Sequence, residues 1–128
     1  MHEVIKEIKS SHLGYIQEKI EKLIKELFKN VQDKKSISYN ADSGIFNGKE
    51  QLRVHVLTRN SDIWNEIINK SISIDEFAIK YRLIGYKNFH SIDFDKNKET
   101  RIYKIILNTE KYSLHYIFTY RIKFIEFN

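Results

Sequence analysis

The sequence predicts an α+β fold in which helices cover one face of an antiparallel β-sheet. Apolar residues recur at steps of three and four through the first 31 residues, as in an amphipathic helix. From 112 to 124 they recur at every second position instead, as in a strand buried on one side. A length of 128 residues favours one domain, which we take as 1–128.

The N-terminal helix is predicted over residues 1–31 as one long element. Ser10 and Ser11 offer a cap that would divide it into a short and a long piece. The apolar stripe is wide, which favours packing against a sheet over a two-stranded coiled coil. The stripe consists of Val4, Ile5, Ile8, His12, Ile16, Ile20, Leu23, Leu27 and Val31.

The middle of the chain predicts strands and then two short helices. The turn signals "DSG" and "NGK" suggest short strands at 36–40 and 45–47, and 51–59 alternates apolar and polar residues. The first short helix is expected at about 62–70. The second begins at the capping box "SIDE", residues 73–76, and is expected to stop near Gly85.

Three strands are predicted at the C-terminus, at about 87–95, 100–108 and 111–127, as an antiparallel meander. One side of the last strand is apolar and is expected to lie beneath the helices. This side comprises Tyr112, Leu114, Tyr116, Phe118, Tyr120, Ile122 and Phe124. The other side of the sheet is then open to solvent or to a partner.

Composition excludes several classes of site. Without cysteine the chain has no disulfide, no thiolate nucleophile and no Cys-ligated zinc. Apolar runs are too short for a membrane helix and no signal peptide is recognised, so a cytoplasmic protein without membrane contact is expected. The net charge is +5, but 17 lysines against 5 arginines is typical of an AT-rich genome and is weak evidence for phosphate recognition.

No short motif predicts a cofactor or a metal. The sequence lacks a phosphate-binding glycine loop, HExxH, GxSxG and an EF-hand loop. Its five histidines include no pair at i,i+2 or i,i+4. Asp93, Asp95 and Glu99 lie around one turn, where we interpret them as solvated carboxylates.

Candidate binding residues lie on the polar sides of the strands. His55 and His115 share those sides with Arg53, Arg59 and Arg121, and they would form one cluster if the two strands were neighbours. Apolar Leu57, Ile117 and Ile125 also lie there, and apolar residues among basic ones resemble the core and rim of an interface. The predicted binding residues are Arg53, His55, Arg59, His115, Ile117, Arg121 and Lys123.

These features predict a small non-enzymatic binding protein that docks on a macromolecule, in the first place a protein. Inhibitors of the immunity or phage counter-defence type, carried by a mobile element, fit this profile. The alternative is a nucleic-acid-binding protein or a metal-independent ribonuclease. His55 and His115 would then move the two protons while Arg53 and Arg121 held the phosphate. A homodimer that pairs sheet edges is the third hypothesis.

Overall fold

The structure, a computed structural model, describes residues 12–32 and 34–123, and these ranges contain two helices and a five-stranded sheet. The α+β class is therefore confirmed. A short 3-10 turn, Lys34–Ser36, precedes the first strand. In chain order the elements are α1 (His12–Asn30), β1 (Ile37–Phe46), β2 (Lys49–Thr58), α2 (Ser61–Lys80), β3 (Tyr86–Asp95), β4 (Lys98–Asn108) and β5 (Tyr112–Lys123).

Helix α1 buries most of the described part of the predicted apolar stripe, but His12 is exposed and Val31, just beyond the helix, is half-buried. Its steps of four and three place successive large side chains on one side of the helix, toward the sheet. Residues 1–11 of the predicted helix, including the suggested caps Ser10 and Ser11, lie outside the described residues. The buried stripe of α1 consists of Ile16, Ile20, Leu23, Ile24 and Leu27.

Helix α2 replaces the two short helices predicted at 62–70 and from 73 onward, and that prediction is wrong. The cap is Asn60, whose side-chain oxygen accepts hydrogen bonds from the backbone N–H groups of Asp62 (2.9 Å) and Ile63 (3.2 Å). The "SIDE" segment lies inside the helix, with Ser73 exposed. A break there would interrupt the buried stripe that runs from Ile67 to Ala78, so burial outweighs the local capping signal.

Strand β1 is also longer than predicted. Apart from Ser36 and Asn47, which lie in the flanking turns, the segments 36–40 and 45–47 belong to one strand, and "DSG" lies within it instead of forming a turn. The second turn signal is confirmed: Asn47 and Gly48 both have positive φ, 52° and 76°. Two such residues form the tight hairpin turn that matches strand twist, so β1 and β2 pair along their full length.

The sheet is mixed and not purely antiparallel as predicted. Its strand order is β1-β2-β5-β4-β3, and the pair β2–β5 is parallel. A parallel pair needs a long connection, which α2 and the β3–β4 hairpin supply. Strands β3, β4 and β5 do pair antiparallel in chain order, but they are part of a larger sheet in which β5 is central.

The predicted apolar side of β5 lies in the core. Phe118 and Leu114 are fully buried, and the Tyr116 hydroxyl donates a hydrogen bond to Glu21 of α1 (3.1 Å). Trp64 of α2 stacks on Tyr120 with ring centroids 5.6 Å apart. Both helices therefore cover this side of the sheet. Phe124 and the predicted end of the strand, 124–127, lie outside the described residues.

The opposite side of the sheet, which we call the open face, is not covered by any element in the described ranges. Because successive side chains of a strand point to opposite faces of the sheet, every second residue of each strand lies on the open face. Of the two helices, neither is long and apolar enough to span a membrane. The central part of the open face comprises Arg53, His55 and Leu57 of β2, His115, Ile117, Thr119 and Arg121 of β5, Ile102, Lys104 and Ile106 of β4, and Lys87 and Phe89 of β3.

Candidate functional site

The parallel pairing of β2 with β5 brings four of the predicted site residues together. Arg53 lies beside His115, and His55 lies beside Ile117 in the next row of the open face. Directly opposed residues on neighbouring strands are close enough for their side chains to touch. The strands that carry His55 and His115 are therefore neighbours, as this part of the predicted cluster requires.

The other three predicted residues lie toward one end of the open face. Arg59, just after β2, and Arg121 line a cavity of about 780 Å³ together with Asp93, Asp95 and Lys98. Arg121 also lines a smaller cavity of about 300 Å³ with His55. Lys123 is opposite Lys98 in the β4–β5 register, but its side chain lies outside the described part. This end of the face thus carries charges of both signs.

An aliphatic patch lies at the centre of the open face, and it joins the predicted apolar residues Leu57 and Ile117 to two isoleucines of β4 that were not predicted there. Lys104 lies in the middle of it, between Ile102 and Ile106 on β4 and beside Ile117 on β5. The four aliphatic side chains are half-buried. The even-numbered residues of β4 could have been recognised from the sequence, because Ile102 and Ile106 alternate with the buried Tyr103, Ile105 and Leu107. The aliphatic patch consists of Leu57, Ile102, Ile106 and Ile117.

His115 is held in one orientation by a short hydrogen-bonded chain. Ser113 Oγ donates to Asn108 Oδ1 (2.7 Å) and lies 2.8 Å from His115 Nε2. Because the hydroxyl proton is used toward Asn108, Nε2 donates its own proton to Ser113 Oγ. The other ring nitrogen, Nδ1, is then an acceptor, and it is buried without a hydrogen-bond partner among the described residues.

The surroundings of His115 favour its neutral form. Burial, followed by the nearby positive charges of Lys104 and Arg53, lowers the pKa of the imidazole to about 4. At neutral pH the ring keeps only its Nε2 proton, which it donates to Ser113, so it lacks the second, acidic proton that the general acid of a ribonuclease delivers.

We expect His115 to make folding less favourable in mild acid. Its pKa is lower in the folded protein than the ordinary 6.5, so between these values the unfolded chain binds a proton that the folded chain does not. The contribution of neutral His115 to the free energy of unfolding is therefore fully present above about pH 6.5 and is lost as the pH falls toward about 4. Urea unfolding of wild type and of His115→Gln, at about pH 7 and at about pH 5, measures this change in the free energy of unfolding.

In that comparison, the difference in unfolding free energy between the two proteins should shift against wild type at the lower pH. Carboxylates and the other histidines are common to both proteins and drop out of the difference. An unchanged difference across this range would show that His115 is solvated and ordinary.

The carboxylates near the β3–β4 turn do not form one cluster. Glu99 is buried on the helix side of the sheet and pairs with Arg101 at 3.0 Å. Asp93 and Asp95 lie on the other side, at the edge of the open face. Within the described ranges, no group of three or more metal-ligating side chains is assembled.

Basic residues on the open face differ in how they are paired. Arg53 Nε contacts Asp42 Oδ1 at 2.9 Å, and both side chains are about half exposed. Such an exposed pair adds little to stability. Lys104 and Arg121 have no ion pair with any described residue. These two cations and Lys87 of β3, which likewise has no ion pair with a described residue, are thus available on this face to a negatively charged partner.

Comparison with known proteins adds no evidence on this site. The open face is therefore interpreted from its own geometry. No protein family model matches the chain, and neither the curated proteins nor the solved structures include one with significant similarity to it.

Proposed function

We propose that this protein is a non-enzymatic binding module that docks its open face on a protein partner. The observation that carries the proposal is the aliphatic patch around Lys104. Four aliphatic side chains from three neighbouring strands lie in adjacent rows around Lys104, with Thr119 between Leu57 and Ile102, on a sheet face that no described element covers. The aliphatic side chains surround one lysine, and apolar contacts that exclude water around a charged contact strengthen it in protein–protein interfaces.

The proposed partner surface carries a central acidic group within an apolar area. Lys104 and Arg53 lie on the strands on either side of His115, whose pKa is lowered first by burial and then by these two charges. Because Arg53 already pairs with Asp42, a carboxylate placed here would meet chiefly the positive charge of Lys104. Desolvation on docking would strengthen this attraction relative to water. The partner's apolar side chains would cover the aliphatic patch, while its central acidic group would face Lys104.

Cleavage of RNA by His55 and His115 has less support from this geometry. A metal-independent ribonuclease needs one protonated histidine and one histidine with an accessible lone pair. His115 is neutral at physiological pH, and its free nitrogen, Nδ1, is buried. A docking protein needs neither property, because its action is to occupy a surface. Inhibitors of the immunity or phage counter-defence type act in this way.

The test is a charge reversal in the centre of the patch. Wild type and Lys104→Glu would serve as bait for extracts of the source organism, with Lys25→Glu as a matched control. Lys25 is an exposed lysine of α1, on the other side of the molecule. A protein captured by wild type and by the control, but not by Lys104→Glu, would be identified and purified. Its Kd for the three proteins would then be measured directly.

We expect Lys104→Glu to weaken binding about tenfold or more, equivalent to about 1.4 kcal/mol, because reversal adds repulsion to a lost contact. Lys25→Glu should bind like wild type. Equal affinity of all three folded proteins for the purified partner would remove the open face from the interface. Recovery of RNA with wild type, in place of protein and with a steep salt dependence, would favour the nucleic-acid alternative.

A further inference from the structure

We propose that the outer edge of β1 is a second interaction surface, and that its partner is β1 of another copy of this chain. The two strands would pair antiparallel around a two-fold axis at Ala41, which would face its own counterpart. This inference concerns the edge of the sheet and not its open face. It does not depend on the proposed function.

The outer edge of β1 presents a regular row of backbone hydrogen-bonding groups. The two-residue turn Asn47–Gly48 makes Phe46 and Lys49 a hydrogen-bonded pair, so the even residues of β1 bond to β2. The hydrogen bond from Arg59 N to Ser36 O (3.2 Å) shows the same pattern, because Ser36 is also an even-numbered residue that bonds on the β2 side. N–H and C=O groups of the odd residues, Ile37 to Ile45, therefore point outward, where no described strand pairs with them.

Within the part of the chain that the structure describes, this edge lacks the usual protection against strand pairing. Natural edge strands are shielded by lysine, proline, bulges or a covering segment. Strand β1 spans ten residues with no lysine and no proline, and its single charged residue, Asp42, is engaged by Arg53. Tyr39 and Ile45 are 51% and 82% exposed along it. The opposite edge strand, β3, carries three charges in ten residues: Lys87, Asp93 and Asp95.

The sequence of β1 is complementary to itself in one register. With Ala41 on the axis, every outward N–H and C=O from Ile37 to Ile45 meets a partner. On the open face the carboxylate of Asp42 is opposite the amide of Asn40, a donor–acceptor match. On the other face Ile37 is opposite Ile45, an apolar pair. Moving the axis to Asp42 would instead oppose two carboxylates and shorten the ladder.

Pairing in this register would join the two sheets edge to edge. The β1 strands would become central, and the open faces of the two copies would continue into each other across the axis. An isologous contact of this kind closes as a dimer, because each copy uses its β1 edge once. The remaining edge, β3, is the one that carries charges.

Because the chain has no native cysteine, single cysteines can test the register. Directly opposed residues in a hydrogen-bonded pair have Cα atoms about 5.5 Å apart, within disulfide range. Ala41→Cys should therefore form a disulfide dimer under mild oxidation. Ser43→Cys is the matched control, since Ser43 faces Tyr39 and its own counterpart would lie roughly 13 Å away, at about 3.3 Å per residue.

Molar mass in solution tests the assembly itself. By sedimentation over a range of concentrations, wild type and Ile92→Lys on the β3 edge should be dimeric. Ala41→Lys should be monomeric with an unchanged circular dichroism spectrum, because two ammonium groups would meet at the axis. A monomeric wild type at all concentrations would overturn the proposal. So would loss of the dimer in Ile92→Lys but not in Ala41→Lys, or equal cross-linking of the two cysteine variants.

Discussion

Replacing Phe118 by alanine is expected to lower the free energy of unfolding by about 3–5 kcal/mol. Phe118 has no solvent exposure and lies on the central strand β5. Its neighbours in the sheet are the buried Val56 of β2 and Tyr103 of β4. Truncation removes the transfer free energy of the ring and leaves a cavity, which neighbours on both flanking strands can fill only in part.

Urea unfolding measures this effect, and the next residue along β5 supplies the control. Ile117 is half-buried on the open face, so Ile117→Ala should cost clearly less than Phe118→Ala. The reverse order would mean that β5 presents its other side to the helices. That result would also transfer the aliphatic patch from the open face to the core.

Gly85→Ala is expected to destabilise the protein by roughly 1–3 kcal/mol, the range for a residue held in a disallowed backbone conformation. Gly85 has φ 91°, and an added Cβ would lie under 3.0 Å from the backbone carbonyl oxygen of Asn108. That oxygen cannot easily withdraw, because the N–H of Asn108 donates a hydrogen bond to the carbonyl of Gly85 (2.6 Å). The sequence predicts Gly85 as the stop of the second short helix. In the structure, α2 already ends at Lys80, and Gly85 begins the close approach of β3 to β4.

Alanine substitutions at two other glycines distinguish the effect of backbone strain on stability from the effect of steric contact. At Gly48 φ is 76° but an added Cβ meets nothing within 4 Å, and at Gly44 there is neither a positive φ nor a neighbour. Gly44→Ala should therefore change stability by less than about 0.5 kcal/mol, and Gly48→Ala should cost about 1 kcal/mol of strain. If Gly85→Ala unfolded at the same urea concentration as Gly48→Ala, the contact with Asn108 would contribute nothing.

Much of the candidate site was visible in the sequence, because side-chain alternation in a strand is a local property. The buried and open sides of β5 follow from its period of two, and the same holds for Arg53 and His55 on β2. Lys104 and the isoleucines of β4 were missed because that strand is apolar on both sides. The two faces of β4 can be assigned only by finding which of its residues pair with the buried residues of a neighbouring strand. That neighbour is determined by the tertiary structure.

By itself the sequence determined the α+β class, the apolar stripe of α1, the Asn47–Gly48 turn and the buried side of β5. Each depends on a periodicity or a turn within a few residues. Three features were decided by the tertiary structure: the parallel pairing of β2 with β5, the continuity of α2 through "SIDE", and the aliphatic patch around Lys104. Strand partners are chosen by packing between residues far apart in the chain, and burial of a continuous stripe on α2 outweighs a capping preference of about 1 kcal/mol.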